Sequence, residues 1–115
     1  MRDIRTLLLA SLTSFGPLLG ADLTGTWKIS GDIQGNDVSP TCKIKLDESK
    51  ITGECKSDNG DGAMITGEVK DDNITWTWEI SGYTLVFTGK ASSDTAIRGT
   101  IEVAGTGGTF TAAKQ

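Results

Sequence analysis

The amino-acid sequence predicts an all-β fold, an eight-stranded antiparallel up-and-down (meander) β-barrel with one cross-strand disulfide. Three observations carry that prediction. Beyond about residue 22, apolar residues recur at every second position in short runs, the period of a strand with one buried face. The runs are separated by clusters of Gly, Asn, Asp and Ser, residues that tolerate positive φ or hydrogen-bond their own backbone. The only two cysteines, Cys42 and Cys55, fall opposite one another when two adjacent runs are folded into a hairpin.

The N-terminal segment stands apart from this pattern. Arg2 and Arg5 precede Leu7-Leu8-Leu9-Ala10-Ser11-Leu12, the apolar stretch continues to Leu18-Leu19, and small Gly20 and Ala21 follow. That order of basic, apolar and small residues predicts a secretory signal peptide over 1–21, cut near Ala21, and a single domain over 22–115. Interrupted by Gly16 and Pro17, the stretch is too short to span a bilayer, and no later segment is apolar enough to try. The expected location is therefore secreted or periplasmic, where disulfides persist.

Eight runs follow in order: 24–33, 41–46, 51–56, 63–70, 74–80, 83–91, 96–104 and 109–114. Residues 35–40 form the longest connection. Pairing Leu46 with Ile51 sets Ile44 against Gly53, Cys42 against Cys55 and, on the other face, Lys43 against Glu54. One register thus sorts apolar groups, cysteines and charges together, and a one-residue slip would undo all three. The alternation points Trp27, Trp76, Trp78, Phe87 and Phe110 inward and leaves Thr, Lys, Glu and Arg outside. Closing the eight runs on themselves removes the exposed sheet edges. The recurring Ile51-Thr52-Gly53-Glu54, Ile65-Thr66-Gly67-Glu68, Phe87-Thr88-Gly89-Lys90 and Ile97-Arg98-Gly99-Thr100 put glycines on the inward face, where room for the indoles is the expected reason.

Composition excludes several kinds of chemistry. There is no histidine, and two cysteines cannot build a structural zinc site. Histidine-based acid–base and nucleophilic machinery is absent with it. Without residues 1–21, nine Lys and Arg remain against fourteen Asp and Glu, a net charge of −5. An acidic surface with no basic stripe argues against nucleic acid and anionic membranes as partners. No cofactor is implied. The predicted interior holds no convergent acids or bases, so the expectation is not an enzyme. A reaction would need a rim site built from loop residues such as Asp58, Asp61, Asp71 and Asp72. Calcium has a weak candidate loop around Asn59 and Asp61 with Glu68 further on, although Ser57 stands where an acidic ligand is usual. Asn73-Ile74-Thr75 has the form of a glycosylation sequon.

Two resemblances add to this reading. Gly25-Thr26-Trp27, opening the first run, resembles the G-x-W start of calycins, the lipocalin and avidin type of barrel. The resemblance implies that Trp27 closes one end beneath a basic residue of the last strand, here Lys114, and a small apolar molecule bound at a barrel mouth is the most concrete functional expectation. Trp27, Trp76, Trp78, Phe87 and Phe110 are then candidate lining residues. An eight-stranded interior holds packed side chains or one small ligand. A filled centre is expected, with a partial cavity at the wider mouth as the alternative. Gly25-Thr26-Trp27-Lys28-Ile29-Ser30-Gly31 with Cys42-Lys43-Ile44-Lys45-Leu46 is also similar to bacterial periplasmic inhibitors of serralysin-type metalloproteases. That family inserts a free N-terminal arm into the protease, and Asp22-Leu23-Thr24 is all that would precede the barrel here. The expected partner is a small apolar molecule or, alternatively, another protein.

Overall fold

A computed structural model describes residues 23–115, so the signal segment expected over 1–21 lies outside the described residues. Nine strands run β1 (Gly25–Ile33), β2 (Asn36–Val38), β3 (Thr41–Asp47), β4 (Lys50–Lys56), β5 (Gly62–Lys70), β6 (Asn73–Ile80), β7 (Tyr83–Ser93), β8 (Ala96–Val103) and β9 (Thr106–Lys114). Consecutive strands from β3 to β9 pair antiparallel, β1 pairs with β3, and β1 also pairs with β9, which closes an eight-stave meander barrel. The described residues contain no helix, and hence none long and apolar enough to cross a membrane.

The predicted register is the observed one. Leu46 faces Ile51, Ile44 faces Gly53, Lys43 faces Glu54, and Cys42 is bonded to Cys55 across a Cα separation of 4.0 Å. Trp76 and Trp78 are buried while Thr75 and Thr77 are not, so the alternation keeps its phase on β6. Following the inward row from Gly25 through Ile44, Gly53, Ile65, Trp78, Leu85, Val103 and Thr106, and extending the β1–β9 register past its last pair, Asp32 with Thr109, returns to the level of Gly35. From Gly25 to Gly35 is a stagger of ten residues, which tilts the staves and makes each inward row climb from one end of the barrel to the other.

Three expectations need correction. Residues 35–40 are not simply a loop: Asn36–Val38 form β2, a short arm folded back on the end of β1. A tight turn at Gln34 and Gly35, both at positive φ, makes this possible, with the Asp32 carboxylate accepting the Gly35 N–H at 2.7 Å. The last strand begins at Thr106 rather than residue 109, with its turn at Ala104-Gly105. Gly108 sits inside that strand because a Cβ there would lie 2.2 Å from the Asp32 carbonyl oxygen of β1. Finally, the inward glycines make room chiefly for neighbouring backbone. Only Gly67, facing Trp76, clears space at an indole-bearing residue, whereas Gly89 and Gly99 face one another so that β7 and β8 approach closely.

Candidate functional site

The interior divides into a capped base, a packed waist and an open mouth. At the base, Trp27 is fully buried, and its Nε1–H donates to the Leu23 carbonyl at 2.8 Å. Lys114, paired in register with Trp27, holds its Nζ 6.0 Å from the centre of the indole, within cation–π range. The basic residue of the last strand therefore sits over Trp27 as the G-x-W resemblance implies.

Three aromatic residues fill the waist. Trp76 stacks on Phe87 with ring centres 5.1 Å apart and planes 10° from parallel. Phe110 meets both rings edge-on, at 5.6 Å from Trp76 and 5.3 Å from Phe87. These are favourable ring geometries, adding ~1 kcal/mol per pair beyond burial. With Ile29, Ile74, Ile97 and Ile101 buried around them, the centre is filled as expected.

The mouth lies where the turns after β1, β6 and β8 and the β4–β5 loop gather. A cavity of about 390 Å³ is walled by Trp78, Ile80 and Leu85, by Val38 and Pro40 beside β2, and by the loop carrying Ser57, Asp58, Asn59 and Asp61. A second hollow of about 350 Å³ shares Val38, Ile80, Ser81 and Leu85 and adds Ile33, Tyr83 and Val103. The two are lobes of one apolar-floored basin. Local bonds fix its walls. Lys28 Nζ donates to the Ser39 carbonyl at 2.8 Å and pairs with Asp58 at 3.3 Å, tying the β2–β3 connection to the β4–β5 loop. That loop is braced internally, with Ser57 N–H donating to the Asp61 carbonyl at 2.7 Å and Gly60 N–H to the Ser57 carbonyl at 3.0 Å.

Among the described buried residues the side-chain nitrogens and oxygens are the three indole N–H groups alone. Trp27 has a partner, but Trp76 and Trp78 hold unpartnered N–H donors. Leaving a buried donor unpaired costs about 1–3 kcal/mol.

The five aromatics grouped by the sequence as lining residues are thus separated by depth. Trp27 caps the base, Trp76, Phe87 and Phe110 plug the waist, and Trp78 alone reaches the mouth basin. Ile80, Leu85 and Val103 were legible as inward residues, but their place at strand ends beside the turns is what makes them wall the mouth. Asp37 and Val38 went unrecognised because residues 35–40 were read as loop. The calcium candidates do not converge. Asn59 Oδ1 accepts from Asp61 N–H at 3.1 Å and from Ser57 Oγ, while Glu68 is exposed on β5 opposite Lys50 and Thr75. Among the described residues no group of three or more His, Cys, Asp or Glu side chains is placed to hold a metal.

A larger groove of about 590 Å³ runs along the outer wall of β8, β9 and β1, lined by Ser30, Asp32, Arg98, Thr100, Thr109 and Thr111 with Gly31, Gly99 and Phe110 beneath. It is a strip of outward hydroxyls on a curved sheet and lacks the convergent walls of the mouth.

Fold and site together define a small disulfide-pinned meander barrel, capped at one end and open at the other. No family model matches the chain, and no curated protein matches it in sequence. Solved structures do match in fold. A de novo designed fluorescence-activating β-barrel superposes with a TM-score of 0.67 at 14% identity, over 84% of this chain and 96% of the other. A redesigned β-barrel gives 0.69 at 15% identity, over 84% and 95%. Another redesigned barrel, mFAP1, bound to DFHBI, gives 0.63 at 13% identity, over 87% and 97%. At such identities the likeness is one of fold.

Proposed function

We propose that this protein is an exported, non-enzymatic, calycin-like barrel that binds a small, largely apolar molecule at its mouth. The observation that carries this reading is the basin walled by Trp78, Ile80 and Leu85, set above a filled waist. Apolar concavity with a few polar groups at its edge is the usual form of a small-molecule site. The dye-bound barrel of the same fold supports the reading by showing that a scaffold of this kind accepts a small guest. Titration with a panel of apolar probes, including retinoids, fatty acids and naphthalene dyes, is expected to change tryptophan emission saturably. Ile80→Asp, at a half-buried position on the basin wall, is expected to abolish that response with the fold retained by circular dichroism. A flat response across the panel sinks the proposal.

A second reading is a protein-binding module, including inhibition of an exported metalloprotease. What favours it is Tyr83, 59% exposed on the rim beside Ile33 and Val38. Near-stoichiometric inhibition of a serralysin-type protease, lost on substituting Tyr83, would move the assignment there.

A further inference from the structure

Charge is distributed unevenly along the barrel axis. At the mouth end lie Asp32, Asp37, Asp58, Asp61, Glu79 and Glu102 against Lys28 and Lys56. The other described charges are seven basic and seven acidic residues, which cancel. All of the net −4 of the described chain, six carboxylates less two lysines, therefore gathers around the opening. Three of the carboxylates, Asp37, Asp58 and Asp61, belong to the lining of the basin itself. Lys28 answers only one of them, being held between Asp58 and the Ser39 carbonyl. Below them stands Trp78, 2% exposed and walling the same basin, its N–H without a partner.

A low-dielectric wall beneath a ring of one sign focuses the field at the opening, raising the local concentration of counter-charged solutes and depleting like-charged ones. A fatty acid or other apolar anion entering headgroup outward would set its carboxylate among Asp37, Asp58 and Asp61. An ammonium in the same place lies in the field of those carboxylates, which favours it as much as it disfavours the anion.

We infer that the guest is an apolar molecule carrying a protonated amine, its body against Trp78, Ile80 and Leu85 and its ammonium at Asp37, Asp58 and Asp61. The inference rests on the mouth-binding reading above and names the chemical class the mouth selects. Three probes of nearly one shape separate the two ideas: 1-adamantanamine, 2-adamantanone and 1-adamantanecarboxylate, titrated against the full domain at neutral pH and followed by tryptophan emission. The amine is expected to bind about tenfold tighter than the carboxylate at low salt, with the neutral ketone between them and the spread narrowing as salt screens the rim. Asp37→Asn with Asp61→Asn, both exposed and nearly isosteric changes, is expected to cut the amine's advantage several-fold and leave the ketone unchanged. Equal binding of amine and carboxylate, or tighter binding of the carboxylate, overturns the inference and leaves the mouth site standing. Failure of all three probes to bind removes the site and the inference together.

Discussion

Trp27, Trp76 and Trp78 are chemically identical and equally inward, yet their N–H groups meet different fates. Trp27 donates to Leu23, whereas Trp76 and Trp78 have no acceptor. Replacing a tryptophan by phenylalanine removes similar volume at Trp27 and Trp76, but only at Trp27 does it break a hydrogen bond and orphan a carbonyl. Trp27→Phe is therefore expected to destabilise by about 1–2 kcal/mol more than Trp76→Phe in urea unfolding. Equal losses would show that the Trp76 donor is satisfied in solution. Glycine supplies the second residue-scale test. A Cβ at Gly67 would lie 2.0 Å from the Thr75 carbonyl oxygen and 2.7 Å from Trp76 Cβ, neither of which yields without moving a strand. Gly67→Ala is expected to cost about 2 kcal/mol or more by the same measurement.

The elements show where sequence reading succeeds and where it stops. The Cys42–Cys55 hairpin was fully legible, because apolar groups, cysteines and a charge pair all demanded one register. Its disulfide encloses a separation of 13 residues. Removing it by Cys42→Ala with Cys55→Ala is expected to cost about 3 kcal/mol, measured as a lower urea midpoint. Illegible were β2 and the start of β9. Asn36-Asp37-Val38 has poor strand propensity and pairs only because a tight turn folds it onto β1. Gly107 and Gly108 read as loop because glycine is costly in a strand, but here neighbouring backbone leaves no space for a side chain at Gly108. The candidate site was half legible for the same reason. Its apolar floor follows from alternation on β6 and β7, while one wall and a carboxylate come from β2. Three mouth-side turns, Gln34-Gly35, Ser81-Gly82 and Ala104-Gly105, place both residues at positive φ. Ala104, at φ 51°, lacks the side-chain amide that makes this conformation tolerable in asparagine. Ala104→Asn is expected to raise thermal stability modestly, by up to about 1 kcal/mol.

For the whole molecule, closure joins the first strand to the last. The β1–β9 ladder pairs Trp27 with Lys114 and Asp32 with Thr109, contacts nearly the length of the domain apart in sequence. Such non-local pairing must wait for most of the chain to be ordered, so folding is expected in milliseconds to seconds rather than microseconds. Stopped-flow refolding followed by tryptophan emission would read this directly. Deleting β9 is expected to leave no cooperative unfolding transition, since it removes Phe110 from the waist and opens two sheet edges at once.

The three indoles also sit at successive depths below a single doorway, with stacked rings between the second level and the floor. Whatever enters must leave by the way it came, and it cannot sink past Trp76 unless the Phe87 and Phe110 rings part. The chain therefore carries its own depth gauge. With each indole isotopically labelled in turn, a guest resting in the doorway would shift the Trp78 signal and leave that of Trp27 still, and movement at Trp27 would report that the stack itself had opened.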